Sequence, residues 1–171
     1  MIAGKARSYN QVVEPPRMVT MIHYHGRNLR IGRVSETGRP YLITTVTHNR
    51  HPLFLDWRIG RLLAMHLRDA TEHGYVDTLA WVVMPDHLHW LMAPGTESLN
   101  AIVRRIKSRT TRAIHQKLGT SGPVWQKGYH DHAVRRHQDV RMLARYIIAN
   151  PLRAGLVESI GDYPLWDAIW L

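Results

Sequence analysis

The length, composition and charge of the chain narrow the classes of protein to which it can belong. Its 171 residues suit one domain with a single core, and the absence of cysteine excludes disulfides, thiolate catalysis and cysteine-ligated zinc. No apolar run approaches the roughly 20 residues of a membrane span, so we expect a cytoplasmic protein with no membrane partner. Lysine and arginine outnumber aspartate and glutamate 23 to 13. The formal net charge of +10 favours a polyanionic partner, most often nucleic acid and less often a ribosomal or membrane surface.

Residues 1–38 are predicted to form a basic N-terminal arm, followed by one domain over residues 39–171. The arm has little apolar periodicity, and a pair of prolines breaks any regular element in it. It contains His23 and His25, which are separated by one tyrosine. Its candidate DNA contacts are Arg27, Arg30 and Arg33.

Apolar periodicity in the domain predicts the order β-α-β-β-α-β, followed by one more helix. Asp56 is expected to cap the first helix, Gly74 to end it, and the proline after Asn150 to end the last helix. This order is that of an α+β, ferredoxin-like fold with a four-stranded antiparallel sheet and two helices on one face. Residues beyond about 152 are predicted to be a C-terminal tail. The predicted strands span 41–47, 78–84, 87–92 and 132–135, and the predicted helices span 56–74, 98–118 and 139–150.

Two histidines separated by one leucine lie in the third predicted strand, within the most apolar run of the chain. Successive side chains of a strand alternate between faces, so His87 and His89 share a face with their Cα atoms about 6.5 Å apart. Two imidazoles at that spacing can bind one metal ion. Leu88, Trp90 and Met92 would then bury the opposite face. The alternative is a half-buried edge strand whose histidines are satisfied by hydrogen bonds.

Two further pairs of histidines have the same one-residue separation. His23 and His25 lie in the arm, outside any strand pattern, and His130 and His132 enclose an acidic residue. Both pairs are weaker metal candidates than the pair in the third strand. Asp86 comes immediately before that strand and is expected to be a turn residue or a hydrogen-bond partner of its histidines.

The second predicted helix has a basic side. It contains no acidic residue between positions 98 and 118. Such charges usually lie on a helix face that is exposed to solvent. Here we favour contact with DNA phosphates as the interpretation. The candidate phosphate contacts are Arg104, Arg105, Lys107, Arg109 and Arg112.

Tyr146 and Asn150 are four residues apart in the last predicted helix and so share one of its sides. The tyrosine hydroxyl can attack a phosphate, and the asparagine amide can give a metal an oxygen ligand. A packed ring and a helix-terminal cap are the alternative interpretation of the same two residues.

Four blocks of the sequence, in this order and at this spacing, resemble the REP-associated tyrosine transposases. The resemblance covers about residues 28 to 160 and places the chain among the single-tyrosine, His-hydrophobic-His (HUH) DNA transposases. It implies an enzyme that cuts and joins single-stranded DNA near repetitive extragenic palindromes (REP) folded as hairpins. The blocks are Arg33 and Val34 followed by residues 41–47, then residues 81–89, 125–133 and 146–157.

The resemblance also implies residue roles and a cofactor. His87, His89 and Asn150 match the metal ligands and Tyr146 matches the nucleophile of a C-terminal catalytic helix, although relatives often have glutamine where Asn150 stands. The implied cofactor is Mg²⁺ or Mn²⁺, and the implied intermediate is a 5′-phosphotyrosine. The implied partners are single-stranded DNA hairpins of the REP type at the bacterial nucleoid. The protein is expected to be a monomer or a homodimer.

Three alternatives stay open at this point. A catalytically silent descendant would bind DNA or RNA hairpins through its basic face without cutting them. A metal-dependent hydrolase would use water in place of tyrosine. Tyr129, which precedes the fourth predicted strand, is a rival nucleophile.

Overall fold

The computed structural model describes residues 35–135 and 139–170. Most of the predicted basic arm precedes the first described residue. The candidate DNA contacts in the arm and its histidine pair therefore lie outside the described residues; they are Arg27, Arg30, Arg33, His23 and His25.

One antiparallel sheet organises the domain, with its strands in the order β4-β1-β3-β2-β5. The first four strands follow the ferredoxin-like order, so the predicted α+β fold class is confirmed. The strands are β1 (Tyr41–Val46), β2 (Val76–Met84), β3 (His87–Pro94), β4 (His130–Ala133) and β5 (Trp166–Ala168). The helices are α1 (Trp57–Glu72), α2 (Leu99–Leu118), α3 (Val140–Ile148) and α4 (Asn150–Arg153).

The predicted number of strands was wrong, because the residues expected to form a tail add a fifth strand. In β5, Trp166 pairs with Val82 and Ala168 pairs with Ala80 at the edge of the sheet. Leu165 is 1% exposed, and its side chain lies over Gly60 of α1, where a methyl group would not fit. A three-residue strand is too short for alternation to reveal. Residues 165–168 are therefore part of the folded domain.

Helices α1 and α2 cover one face of the sheet. Asp56 caps α1 by accepting a hydrogen bond from the Arg58 amide at 2.9 Å, as predicted, and Ser98 caps α2 by accepting from the Ala101 amide at 3.3 Å. We call the apolar cluster beneath these helices the helix-side core. Its fully buried members include Ile43, Phe54, Leu63, Leu67, Leu88, Trp90, Met92, Ile102 and Ile114.

Helix α3 covers part of the other face of the sheet. Asp139 caps it by accepting from the Arg141 and Met142 amides. Paired residues of neighbouring strands point to the same face. Because His89 pairs with Val82, and Val82 packs beneath α3, the histidines lie on this face. We call the apolar cluster here the α3-side core; it consists of Ala80, Val82, Met84, Leu91, Val134, Ala144, Ile147, Ile148 and Ala168.

Several predicted boundaries differ from the structure; β2 begins two residues early, at Val76, and β3 ends two residues late, at Pro94. Helix α3 ends at Ile148, before the predicted stop, and the separate helix α4 begins at Asn150 with Pro151 in its first turn. Proline suits that position because the first turn of a helix leaves its amides without partners in any case. Strand β4 begins at His130, two residues early, because its pairing with β1 starts opposite Thr44. Within the described ranges, no helix is both long and apolar enough to cross a membrane.

Candidate active site

The two histidines of β3 form a close pair, and the faces of this strand are as predicted. The ring centroids of His87 and His89 lie 4.8 Å apart, and the ring planes meet at 83°. Leu88 and Trp90, which alternate with them, are each 1% exposed in the helix-side core. The strand is therefore anchored on one face while it presents both imidazoles on the other.

A carboxylate orients His87. The ring Nδ1–H donates to Asp86 Oδ1 at 2.5 Å, and Arg50 Nη1 donates to Asp86 Oδ2 at 2.8 Å. Burial would raise the pKa of Asp86, but the hydrogen bonds and charges of His87 and Arg50 outweigh it and hold that pKa below its ordinary value of 3.8. Asp86 is thus an ionised partner of His87 as well as a turn residue.

The segment that carries Arg50 has an unusual backbone. Asn49 and Arg50 have φ angles of 52° and 53°, in the left-handed region that residues other than glycine rarely adopt. The Thr47 hydroxyl lies 2.7 Å from the His51 carbonyl oxygen and 3.0 Å from the Asp86 carbonyl oxygen, which ties this loop to the turn before β3. The loop therefore brings the Arg50 guanidinium to Asp86.

A hydroxyl on the neighbouring strand orients His89. Its Nδ1 lies 2.8 Å from Thr44 Oγ1, and Thr44 is its register partner on β1. Burial, and then the charges of His87 and Arg153, lower the pKa of His89 from 6.5 to about 3, although Asp86 opposes them. The ring is therefore neutral at physiological pH, which is the form that binds metals.

These contacts suit a metal ion. Because Nδ1 of each ring is engaged by Asp86 or Thr44, Nε2 is the nitrogen of His87 and of His89 that is left for ligation. Across residues 35–135 and 139–170, no three His, Cys, Asp or Glu side chains gather to hold a metal. An amide oxygen such as that of Asn150 is of a ligand type that suits Mg²⁺ and Mn²⁺.

One guanidinium links the other two predicted site residues. Tyr146 on α3 is 41% exposed, and Asn150 opens α4 in a half-buried position. Arg153 Nη2 donates to Asn150 Oδ1, and the Arg153 Cζ atom lies 4.0 Å from the centroid of the Tyr146 ring. The same charge helps to lower the pKa of His89. No sequence pattern singled out Arg153; its position three residues after Asn150, one helical turn away, was the available signal.

The rival candidates lie elsewhere. Tyr129 packs against the helix-side core, on the opposite face of the sheet from His89. His130 and His132 are exposed on β4 and face the same way as His89. They are two strands, about 10 Å, away from it and do not join the pair on β3.

The five candidate phosphate contacts on α2 divide into two groups. Arg105 donates to Glu97 at 2.8 Å, Lys107 donates to the carbonyl oxygens of residues 126 and 128 at 2.7 Å, and Arg109 lies 3.9 Å from Asp69. The other two, Arg104 and Arg112, are exposed. Helix α2 covers the face of the sheet opposite the histidines, so DNA contacts on α2 would lie far from them.

Comparisons with known proteins identify the family. The family described as "Transposase IS200 like" matches residues 37–150. A REP-associated tyrosine transposase of Escherichia coli K12 is 34% identical over 87 residues, which is 50% of each chain. A Haemophilus influenzae protein named as a candidate REP-associated tyrosine transposase is 29% identical over 139 residues, covering 74% of this chain and 78% of that one.

A solved structure extends the comparison to the fold. It is a REP-associated tyrosine transposase bound to a REP hairpin, and it superposes with a TM-score of 0.61 and 27% sequence identity. The superposition covers 78% of this chain and 79% of that chain. The chain therefore belongs to the IS200-like transposases, and within that family it is similar to REP-associated tyrosine transposases.

Proposed function

We propose that this transposase cleaves and rejoins single-stranded DNA beside palindromic hairpins, with Tyr146 as its nucleophile. The observation that carries the proposal is the oriented pair of histidines on β3. The Arg153 guanidinium contacts both Tyr146 and Asn150, and its charge also acts on His89, one member of that pair. A nucleophile, an amide oxygen and two imidazoles are the groups that metal-assisted attack on a phosphate needs.

In the proposed step, the Tyr146 oxygen attacks phosphorus in line with the departing 3′ oxygen. A bond forms between the tyrosine oxygen and phosphorus, and the bond from phosphorus to the 3′ oxygen breaks. The phenol proton is released to solvent, and the 3′ oxygen takes up a proton. The products are a 5′-phosphotyrosine and a free 3′-OH. Because the covalent link preserves a phosphodiester, attack by the 3′-OH of another strand rejoins DNA without ATP.

His87, His89 and Asn150 are the residues that we propose to hold a divalent cation, Mg²⁺ or Mn²⁺. Asp86 and Thr44 fix the orientation of the two imidazoles toward it. When bound, such an ion neutralises charge on the phosphate and stabilises the departing 3′ oxygen.

The proposed substrate is single-stranded DNA that contains a hairpin of the REP type. Two observations support it: the net charge of +10, and the REP hairpin bound to the solved relative at 27% identity. On α2, the exposed Arg104 and Arg112 are better placed for phosphate contacts than the partnered Arg105, Lys107 and Arg109. A DNA substrate implies that the protein works at the bacterial nucleoid.

Denaturing electrophoresis tests the proposal. The protein is incubated with a 3′-end-labelled DNA hairpin that has single-stranded flanks, in Mg²⁺ or Mn²⁺, and is then denatured. We expect label that stays on the protein and maps to Tyr146. Cut DNA without labelled protein would indicate a hydrolase that uses water, and hairpin binding without cutting would indicate a silent binder. Label on Tyr129 would contradict the assignment of the nucleophile.

A further inference from the structure

Arg153 carries a charge that no carboxylate among the described residues neutralises. Other arginines form ion pairs with carboxylates. Arg50 pairs with Asp86 at 2.8 Å, and Arg105 pairs with Glu97 at 2.8 Å. Arg153 instead contacts an amide oxygen and an aromatic face. Its side chain is exposed. It therefore presents positive charge that an incoming anion can use.

The position of this charge relates it to the proposed chemistry. The guanidinium carbon lies 4.0 Å from the centre of the Tyr146 ring, and Nη2 donates to Asn150 Oδ1. A guanidinium has five N–H donors, of which Asn150 engages one. The remaining donors form a planar fork that matches two oxygens of a phosphate.

Resting on the proposed function, we propose that Arg153 is a further catalytic residue, which binds the non-bridging oxygens of the phosphate that Tyr146 attacks. Negative charge on these oxygens grows as the tyrosine oxygen bonds to phosphorus. A guanidinium already held beside the nucleophile would stabilise that charge without having to be reorganised during the reaction. Arg153 thus complements the histidine pair, which approaches the phosphate from the sheet.

A purely structural role makes a different prediction. If Arg153 only held Asn150 in place for a metal, its loss would weaken binding of Mn²⁺ to the protein alone, and excess Mn²⁺ would restore cleavage. If it binds the phosphate, Mn²⁺ affinity measured by calorimetry without DNA should not fall in Arg153→Ala. The single-turnover rate of adduct formation should fall on the order of 100-fold and stay low at saturating Mn²⁺.

A thermodynamic cycle tests the phosphate contact by binding alone. All proteins in it carry Tyr146→Phe, so that the DNA stays intact. Each phosphodiester in the single-stranded flanks of a labelled hairpin is replaced in turn by a neutral methylphosphonate. We expect one linkage at which neutralisation weakens binding by about tenfold when Arg153 is present and changes it little in Arg153→Ala. That linkage should be the one that the unmutated protein cleaves.

Two variants control the cycle. Arg145→Ala removes the same charge from the exposed end of α3 and should leave the effect of every methylphosphonate unchanged. Arg153→Lys keeps the charge without the fork and should recover only part of the coupling; it also replaces Arg153→Ala if the alanine variant does not fold.

Coupling at one linkage supports the contact, and additive effects at every linkage would overturn it. The proposed function is judged separately, by whether the unmutated protein forms an adduct.

Discussion

Acidification from pH 7 to pH 5 should destabilise the metal-free protein through one histidine. In the folded chain, burial and then the charges of His87 and Arg153 lower the pKa of His89 to about 3. Unfolding returns the ring to water, where the pKa is about 6.5. Between these two values the unfolded chain binds a proton at this ring and the folded chain does not. The free energy of unfolding therefore falls as the pH falls through this window.

The size of the effect follows from the two pKa values. Within the window, stability changes by about 1.4 kcal/mol per pH unit. From pH 7 to pH 5, the loss attributable to His89 amounts to about 2 kcal/mol, because the unfolded ring begins to bind a proton only near pH 6.5. Asp86 does not contribute over this interval. Its pKa is held below 3.8, so the stability that it supplies is lost only at more acidic pH.

The assay is urea denaturation in EDTA at pH 7, 6 and 5, in which the fluorescence of the buried Trp90 and Trp125 reports unfolding. The test variant is His89→Asn, whose amide can still hydrogen-bond to Thr44 but does not titrate. We expect this variant to lose about 2 kcal/mol less than the unmutated protein between pH 7 and pH 5.

His130→Gln is the matched control for this experiment. His130 is exposed on the same face of the sheet, two strands from His89, and its replacement should leave the pH dependence as it is in the unmutated protein. Equal losses of stability in the unmutated protein and in His89→Asn would refute the argument from burial.

Three other predictions follow from the site and its surroundings. His87→Ala or His89→Ala should abolish cleavage but change hairpin affinity in a gel-shift assay by only a few-fold, because the proposed metal ligands act on one phosphate while cations hold the backbone. Tyr146→Phe should remove the covalent adduct with little change in Tm, whereas Tyr129→Phe should retain the adduct. Burial raises the pKa of Tyr163 to about 12, so stability should fall as the pH rises from 10 to 12. At pH 11 the loss should be about 1.4 kcal/mol, and it should be absent from urea titrations of Tyr163→Phe.

The histidine pair could be predicted from the sequence because alternation along a strand is a local rule. His87 and His89 share a face wherever β3 lies, and the apolar residues between and after them identify the buried side. The hydrogen bonds that orient the rings are not local. Thr44 is 45 residues from His89, and Arg50 is 36 residues from Asp86. These contacts depend on strand register and on a left-handed loop, which residue patterns do not specify.

Residues 150–168 show a second limit of prediction. Proline after Asn150 predicts the end of a helix, but the same residue is well suited to begin one, and the structure has α4 at this point. That new helix places Arg153 one turn after Asn150 and beside Tyr146. The strand β5 was missed for a related reason, since three residues become a strand only through their pairing with β2.

The two halves of the proposed site are attached to the fold in different ways. His87 and His89 lie on β3, which has a strand on each side and is anchored through Leu88 and Trp90 in the larger helix-side core. Tyr146 belongs to α3, which meets the sheet through the smaller α3-side core. A displacement of about 1 Å between reacting groups can cost on the order of 100-fold in rate. Packing in the α3-side core should therefore control the rate of attack more than it controls the stability of the domain.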